Sequence, residues 1–101
     1  MSRKEELIKE FLKSNGFARK QRGFIYMSDA IELCIENQII SGKELTAILG
    51  KKYSLSNSQV LSALNYSLKY AKENGLENVS LLPFIRESAD HIKIKLKEEE
   101  E

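Results

Sequence analysis

The sequence predicts an all-α domain of five or six helices built around a helix-turn-helix. Three observations carry that expectation. Ser2, Ser41 and Ser56 are each followed three residues later by Glu5, Glu44 or Gln59, and an apolar pattern of helical period comes next. That is the sequence form of a capping box, in which the serine oxygen takes an orphan backbone N–H. Asn15-Gly16 and Asn74-Gly75 supply stops, because glycine accepts the left-handed conformation that follows a helix. The only proline, Pro83, stands where a helix's first turn tolerates it.

The first helix is expected over about Arg3–Ser14, with Leu7, Ile8, Phe11 and Leu12 on one face. A positively charged loop, Phe17 to Gly23, follows. The second helix is expected to begin between Phe24 and Ser28 and to end near Asn37. Its inward face is Met27, Ala30, Ile31, Cys34 and Gln38, with Ile35 beside it. A short third helix runs to about Tyr53 with Leu45, Ile48 and Leu49 inward. Ser54-Leu55-Ser56 breaks the chain. A longer helix, Asn57 to about Asn74, buries Val60, Leu64 and Leu68 and makes its close contacts through Ala63 and Ser67. In the last segment Ile85, Ala89, Ile92 and Leu96 keep helical spacing. The alternation His91 to Leu96 also fits a strand, but no partner strand is apparent, so a helix is expected over about 83–96. Residues 1–97 read as one helical domain and 98–101 as an acidic tail.

Composition narrows the class. A length of 101 residues suits one domain, and 42% hydrophobic with 31% charged residues suits a globular chain. No apolar run approaches a membrane span or a signal-peptide core, so no membrane association and a cytoplasmic location are expected. Cys34 is alone and fits a small buried hydrophobe. His91 lacks Cys or His neighbours at ligand spacing, so no metal and no cofactor are expected. Without glycine-rich phosphate loop, Cys-His pair or strained nucleophile turn, catalysis and a small-molecule substrate are not expected. Removing the four glutamates Glu98–Glu101 from a net charge of +1 leaves the body at +5. Basic residues gather at Arg19-Lys20-Gln21-Arg22 and over 43–72, where five lysines face Glu44 alone. This is a mild basic stripe.

Residues 41–72 carry the functional signal. Two helices joined by a three-residue break, with Leu45, Ile48, Leu49, Tyr53, Leu55, Val60 and Leu64 as apolar positions, fit a helix-turn-helix whose second helix enters the major groove. Ala47, Gly50 and Ala63 suit a close crossing of the two helices. A plain helical hairpin fits the same periodicity.

Gly16-Phe17-Ala18-Arg19-Lys20-Gln21-Arg22-Gly23-Phe24-Ile25-Tyr26-Met27-Ser28-Asp29-Ala30-Ile31 resembles the opening of the C-terminal effector domain of the stage-zero sporulation response regulators. That family is similar in its glycines seven apart, followed by an aromatic, an aliphatic, a tyrosine, an aliphatic and an Ala-Ile pair. Leu45 to Ala71 is similar to the family's helix-turn-helix, with Lys51-Lys52-Tyr53 before the turn and Ser58-Gln59-Val60 opening the recognition helix. The resemblance covers about residues 5–75 with a gap near Gln38; the last helix matches less well, and the connection before it is shorter. It implies a response-regulator effector domain of the type without a wing, which binds promoter double-stranded DNA, often as a tandem or symmetric dimer, in a sporulating Gram-positive type of host. No phosphorylatable receiver domain fits in this chain.

The departures from the family fall on the recognition helix. Where the family carries several arginines and a glutamate, this sequence has Gln59, Leu61, Ser62 and Asn65. Arginine holds guanine with two hydrogen bonds, whereas Gln and Asn suit adenine. The resemblance therefore implies Gln59, Ser62 and Asn65 as base-facing residues. Lys51, Lys52, Ser56, Asn57, Ser58 and Lys69 remain for phosphate. The alternative is a regulator that binds protein, forming a heterodimer with a related transcription factor and reading no DNA itself. Leu61, Tyr66 and Tyr70 would then form an apolar face, and Ile85, Ile92 and Leu96 of the terminal helix are the candidate interface for a homodimer or heterodimer. Tyr66 and Tyr70 packed on the final helix, and a terminal helix packed only on its own core, are the plainer readings.

Overall fold

The computed structural model describes residues 2–37 and 41–100. Among them the chain is all-helical, with α1 (Arg3–Ser14), α2 (Arg22–Glu36), α3 (Gly42–Tyr53), α4 (Asn57–Glu73) and α5 (Leu81–Glu100), and no strand. The expected inward position of Gln38 lies outside the described residues. No described helix is long and apolar enough to cross a membrane.

The caps behave as their chemistry requires. Ser2, Ser41 and Ser56 sit in extended backbone, and their hydroxyls accept from the N–H groups of Glu5, Glu44 and Gln59. At α4 the box is reciprocal, with Gln59 Oε1 accepting from the Ser56 N–H at 2.9 Å. Each such cap is worth about 1 kcal/mol. After α1 the chain turns at Gly16, whose φ of 93° is left-handed, and the Phe17 N–H returns to the Leu12 carbonyl at 3.0 Å. That turn aims the Phe17 ring into the core, where it is buried against Phe84.

α2 is the central helix. It packs against α1, α3, α4 and α5, and Phe24, Met27, Ala30 and Ile31 along it are fully or almost fully buried. It starts at Arg22, earlier than the sequence pattern indicates, and its apolar face opens in its first turn with the buried Gly23 and Phe24. α1 contributes Leu7, Ile8 and Leu12 to the core; α4 adds Val60, Leu64 and Leu68; α5 adds Phe84, Ile85 and Ile92. Cys34 is part of this core, and burial pushes its thiol above the usual range.

Three sequence expectations need correction. Ile48 is not inward: it is 42% exposed, because the buried stripe of α3 runs through Leu45, Thr46, Leu49 and Gly50. The close crossing is not between α3 and α4. A Cβ on Gly23 of α2 would stand 2.6 Å from the Ala63 carbonyl oxygen and 2.6 Å from Ser67 Cβ, so Ala63 and Ser67 serve the α2–α4 contact. Gly50 instead clears the Leu55 carbonyl in the break, and Ala47 is exposed. Finally, Glu98–Glu100 are not a separate tail. They form the last turn of α5, and Arg3 of α1 holds Glu99 with two hydrogen bonds of 2.9 Å. Those bonds draw the Glu99 carboxyl below the usual carboxylate range. Glu101 lies outside the described residues.

The α2–α4 contact yields a paired prediction. Gly23→Ala overpacks the contact and should cost about 1–3 kcal/mol. Ser67 Oγ is buried without a hydrogen-bond partner among the described residues. Ser67→Ala removes that unpaired hydroxyl, which should leave stability unchanged or raise it by up to about 1 kcal/mol. Thermal denaturation checks both: Gly23→Ala should melt several degrees below the wild type and Ser67→Ala at or above it.

Candidate nucleic-acid interface

α3 and α4 meet at the break 54–56. Ser54 takes the left-handed conformation, φ 57° and ψ 46°, and the Leu55 N–H returns to the Gly50 carbonyl at 2.8 Å. Leu55 then lies half-buried against the core, and Ser56 opens α4 at once. The turn is therefore fixed on both sides, by the end of α3 and by the capping box of α4.

The buried residues Val60, Leu64, Ser67, Leu68 and Ala71 mark one side of α4. Opposite them, Ser58, Ser62, Asn65, Tyr66 and Lys69 are exposed. This outward face is polar apart from Tyr66, and no acidic residue occurs between Leu45 and Lys72. Ser62 and Asn65, which the resemblance implies as base-facing, are both exposed on this side. Gln59 is exposed too, but its Oε1 is already engaged in the capping box. Only its amide nitrogen remains for another partner, so the two-bond grip on adenine is lost unless the cap opens.

The expected phosphate-contacting residues divide in the same way. Lys51, Asn57, Ser58 and Lys69 are exposed. Ser56 is used as the cap, its hydroxyl accepting from Gln59 N–H at 3.1 Å and lying 3.2 Å from Ser58 Oγ. Lys52 is drawn to α2, where its Nζ donates to Asp29 Oδ2 at 3.0 Å and lies 5.4 Å from the centre of the Tyr53 ring. Tyr53 donates its hydroxyl to the same Asp29 oxygen, and its ring packs 4.8 Å from that of Tyr26. Asp29 is the participant that the sequence analysis misses. It lies 24 residues from Tyr53, and no local pattern links the two.

The candidate protein-binding residues also separate. Tyr66 is 65% exposed and Leu61 44% exposed, but they do not form one apolar face with Tyr70: Leu61 lies on the α3 side of α4 and the two tyrosines on the opposite side. Ile85 and Ile92 are completely or almost completely buried, and Leu96 is half-buried against the core. The terminal helix therefore offers no dimer seam through Ile85 and Ile92: those side chains are already used by the domain's own core. Leu61 borders a groove of about 340 Å³, with Leu64, Leu81 and Leu82 on its apolar walls and Lys43 and Asn65 at its rim.

No protein-family model, curated protein or solved structure matches the chain.

Burial of Tyr53, followed by its hydrogen bond to Asp29 and the Asp29 charge, pushes its phenol up to about 12 from an ordinary value of 10. The neutral phenol is thus favoured in the folded state. Its contribution to stability is complete below about pH 10 and is lost as pH rises through about 12. The ultraviolet tyrosinate titration should show one late-ionising phenol that is absent from Tyr53→Phe and moves to lower pH in Asp29→Asn. A wild-type titration with no late phenol would show that this contact does not form in solution.

Proposed function

We propose that the chain is a DNA-binding transcription regulator that places α4 in the major groove of double-stranded DNA. The observation that carries this reading is the outward face of α4: Ser58, Ser62, Asn65, Tyr66 and Lys69, free of acidic residues and set behind a fixed three-residue turn. The sequence resemblance to the sporulation response-regulator effector domain supports the same reading. Lys51 and Lys69 contact phosphate, as do the polar groups of Asn57 and Ser58 at the start of α4, where the helix dipole favours an anion. Ser62 and Asn65 face bases. α4 carries no arginine, so its base discrimination is modest and rests on Asn65. A dimer on symmetric half-sites would have to use a surface other than Ile85 and Ile92.

A second reading is favoured by one observation, the exposed Leu61 beside its leucine-lined groove. In that reading the chain regulates by pairing with a related transcription factor through this edge of α4. Leu61→Arg separates the two. It adds a cation next to the proposed DNA face and should maintain or tighten DNA binding, but it should abolish pairing with a response regulator.

Fluorescence anisotropy on duplex DNA tests the leading reading. Lys69→Ala should weaken binding equally on all sequences and lower the slope of log K against log salt by about 0.9. Asn65→Ala should instead alter sequence preference, by up to about 1–3 kcal/mol at one base pair. Wild-type protein that shows no salt-sensitive binding at low ionic strength would refute DNA binding.

A further inference from the structure

The loop between α1 and α2 follows α4 closely. At one end, a Cβ on Gly16 would lie 2.9 Å from the Ala71 carbonyl oxygen and 3.1 Å from Asn74 Cβ. At the other, Gly23 meets Ala63 and Ser67. Residues 17–22 therefore run antiparallel to α4, from its last turn back to its middle. Ala63 and Ser67 are each three residues before an exposed tyrosine, Tyr66 and Tyr70. Three residues advance a helix to within roughly 60° of the starting direction. The loop thus borders the outward face of α4 along its tyrosine edge. α3 lies on the other edge, where Lys43 shares the groove with Leu61 and Asn65.

The loop brings Arg19, Lys20 and Arg22 to that border. All three are exposed. Arg3, Lys4 and Lys52 are held in ion pairs, but none of these three is paired among the described residues. The N-cap of α2, Gln21, makes no side-chain cap, and the first turn of α2 has no acidic residue. The partial positive charge of that helix end therefore adds to the three cations. The α4 face has cations along both of its edges, separated by a polar surface. A duplex has the complementary pattern, two phosphate backbones on either side of a major groove about 12 Å wide.

We infer that Arg19, Lys20 and Arg22 form a second phosphate-contacting element, which grips the DNA backbone on the side of α4 opposite α3. This inference rests on the reading of α4 as the groove-entering helix. It assigns the loop to one strand, leaving Lys43 and Lys51 of α3 for the other.

The test uses the full chain, a mixed-sequence duplex and a salt series, with the triple variant Arg19→Ala, Lys20→Ala, Arg22→Ala and the single variant Lys69→Ala. Circular dichroism should be unchanged in the triple variant, since all three side chains are exposed. The triple variant should lower the slope of log K against log salt by about 0.9 for each phosphate it no longer neutralises, and so by up to about 2.7. Ethylation interference supplies the positional readout. Wild-type protein should show two clusters of sensitive phosphates flanking one major groove, and the triple variant should lose one cluster and keep the other. If the triple variant retains the wild-type slope and both clusters while Lys69→Ala shows its reduced slope, the loop inference is overturned and the α4 reading stands. A wild-type pattern confined to one side of the groove overturns it equally. If wild-type protein shows no salt-dependent binding, both readings fall.

Discussion

The close passage of α2 over α4 sets the rest of the molecule. With glycine at position 23, the α2 backbone can approach the Ala63 carbonyl and Ser67 to a distance that no other residue allows. Because the two helices touch there, Phe24, Met27 and Ile31 reach the centre of the domain, where α1, α3 and α5 close around them. The same contact decides how α4 is rotated. With Ala63, Ser67 and Ala71 against α2 and the loop before it, and Val60, Leu64 and Leu68 in the core, the helical period turns Ser58, Ser62, Asn65 and Lys69 outward. The face assigned to DNA is a consequence of packing on its opposite side.

Electrostatics divide the cations into those with structural partners and those left exposed. Arg3 fastens the end of α5 through Glu99, Lys4 reaches Glu36, and Lys52 with Tyr53 binds the end of α3 to Asp29 of α2. These pairs are largely exposed, and such pairs stabilise little on their own. Their effect is positional: the Asp29 cluster holds the residues immediately before the turn, and so limits how α4 leaves α3. The cations outside these pairs include Arg19, Lys20, Arg22, Lys51 and Lys69, the last of them on the polar face of α4 itself.

Much of this was legible in the sequence because it is local. A serine cap, its partner three residues on and the glycine stop act within one turn, so α1, α3, α4 and the break at 54–56 could be placed from spacing alone. What escaped was long-range. Ile48 has helical spacing compatible with burial, yet it stays 42% exposed among the described residues and Thr46 takes the inward place. The glutamates at the end look like a solvated tail until Arg3, 96 residues away, is brought beside Glu99. Glycine 23 signals a close approach, but only the assembled fold reveals that α4 is what approaches it. At the candidate site, residue type was legible and availability was not. Gln59 and Lys52 have suitable chemistry for DNA, but the cap and Asp29 claim part of it first.

That competition bears on how such a surface recognises its target. A recognition helix with arginine reads guanine through a rigid two-bond fork. Here Ser62 and Asn65 are short, and Gln59 is held at the helix start, so under the proposed reading direct base contacts would be few and close to the backbone of α4. Affinity on such a face must come mainly from the phosphates, whose contacts fix register but carry no sequence information. A second line of cations along the tyrosine edge changes that balance. Held from both sides, the duplex has a defined groove width at α4, and sequences that adopt that width at lower cost bind better without any added base contact. Tyr66, exposed between the polar face and the loop, is then placed to pack against whatever groove wall this width brings near. If α4 enters the groove as proposed, a clamp of this kind would shift selectivity from base contacts toward DNA shape.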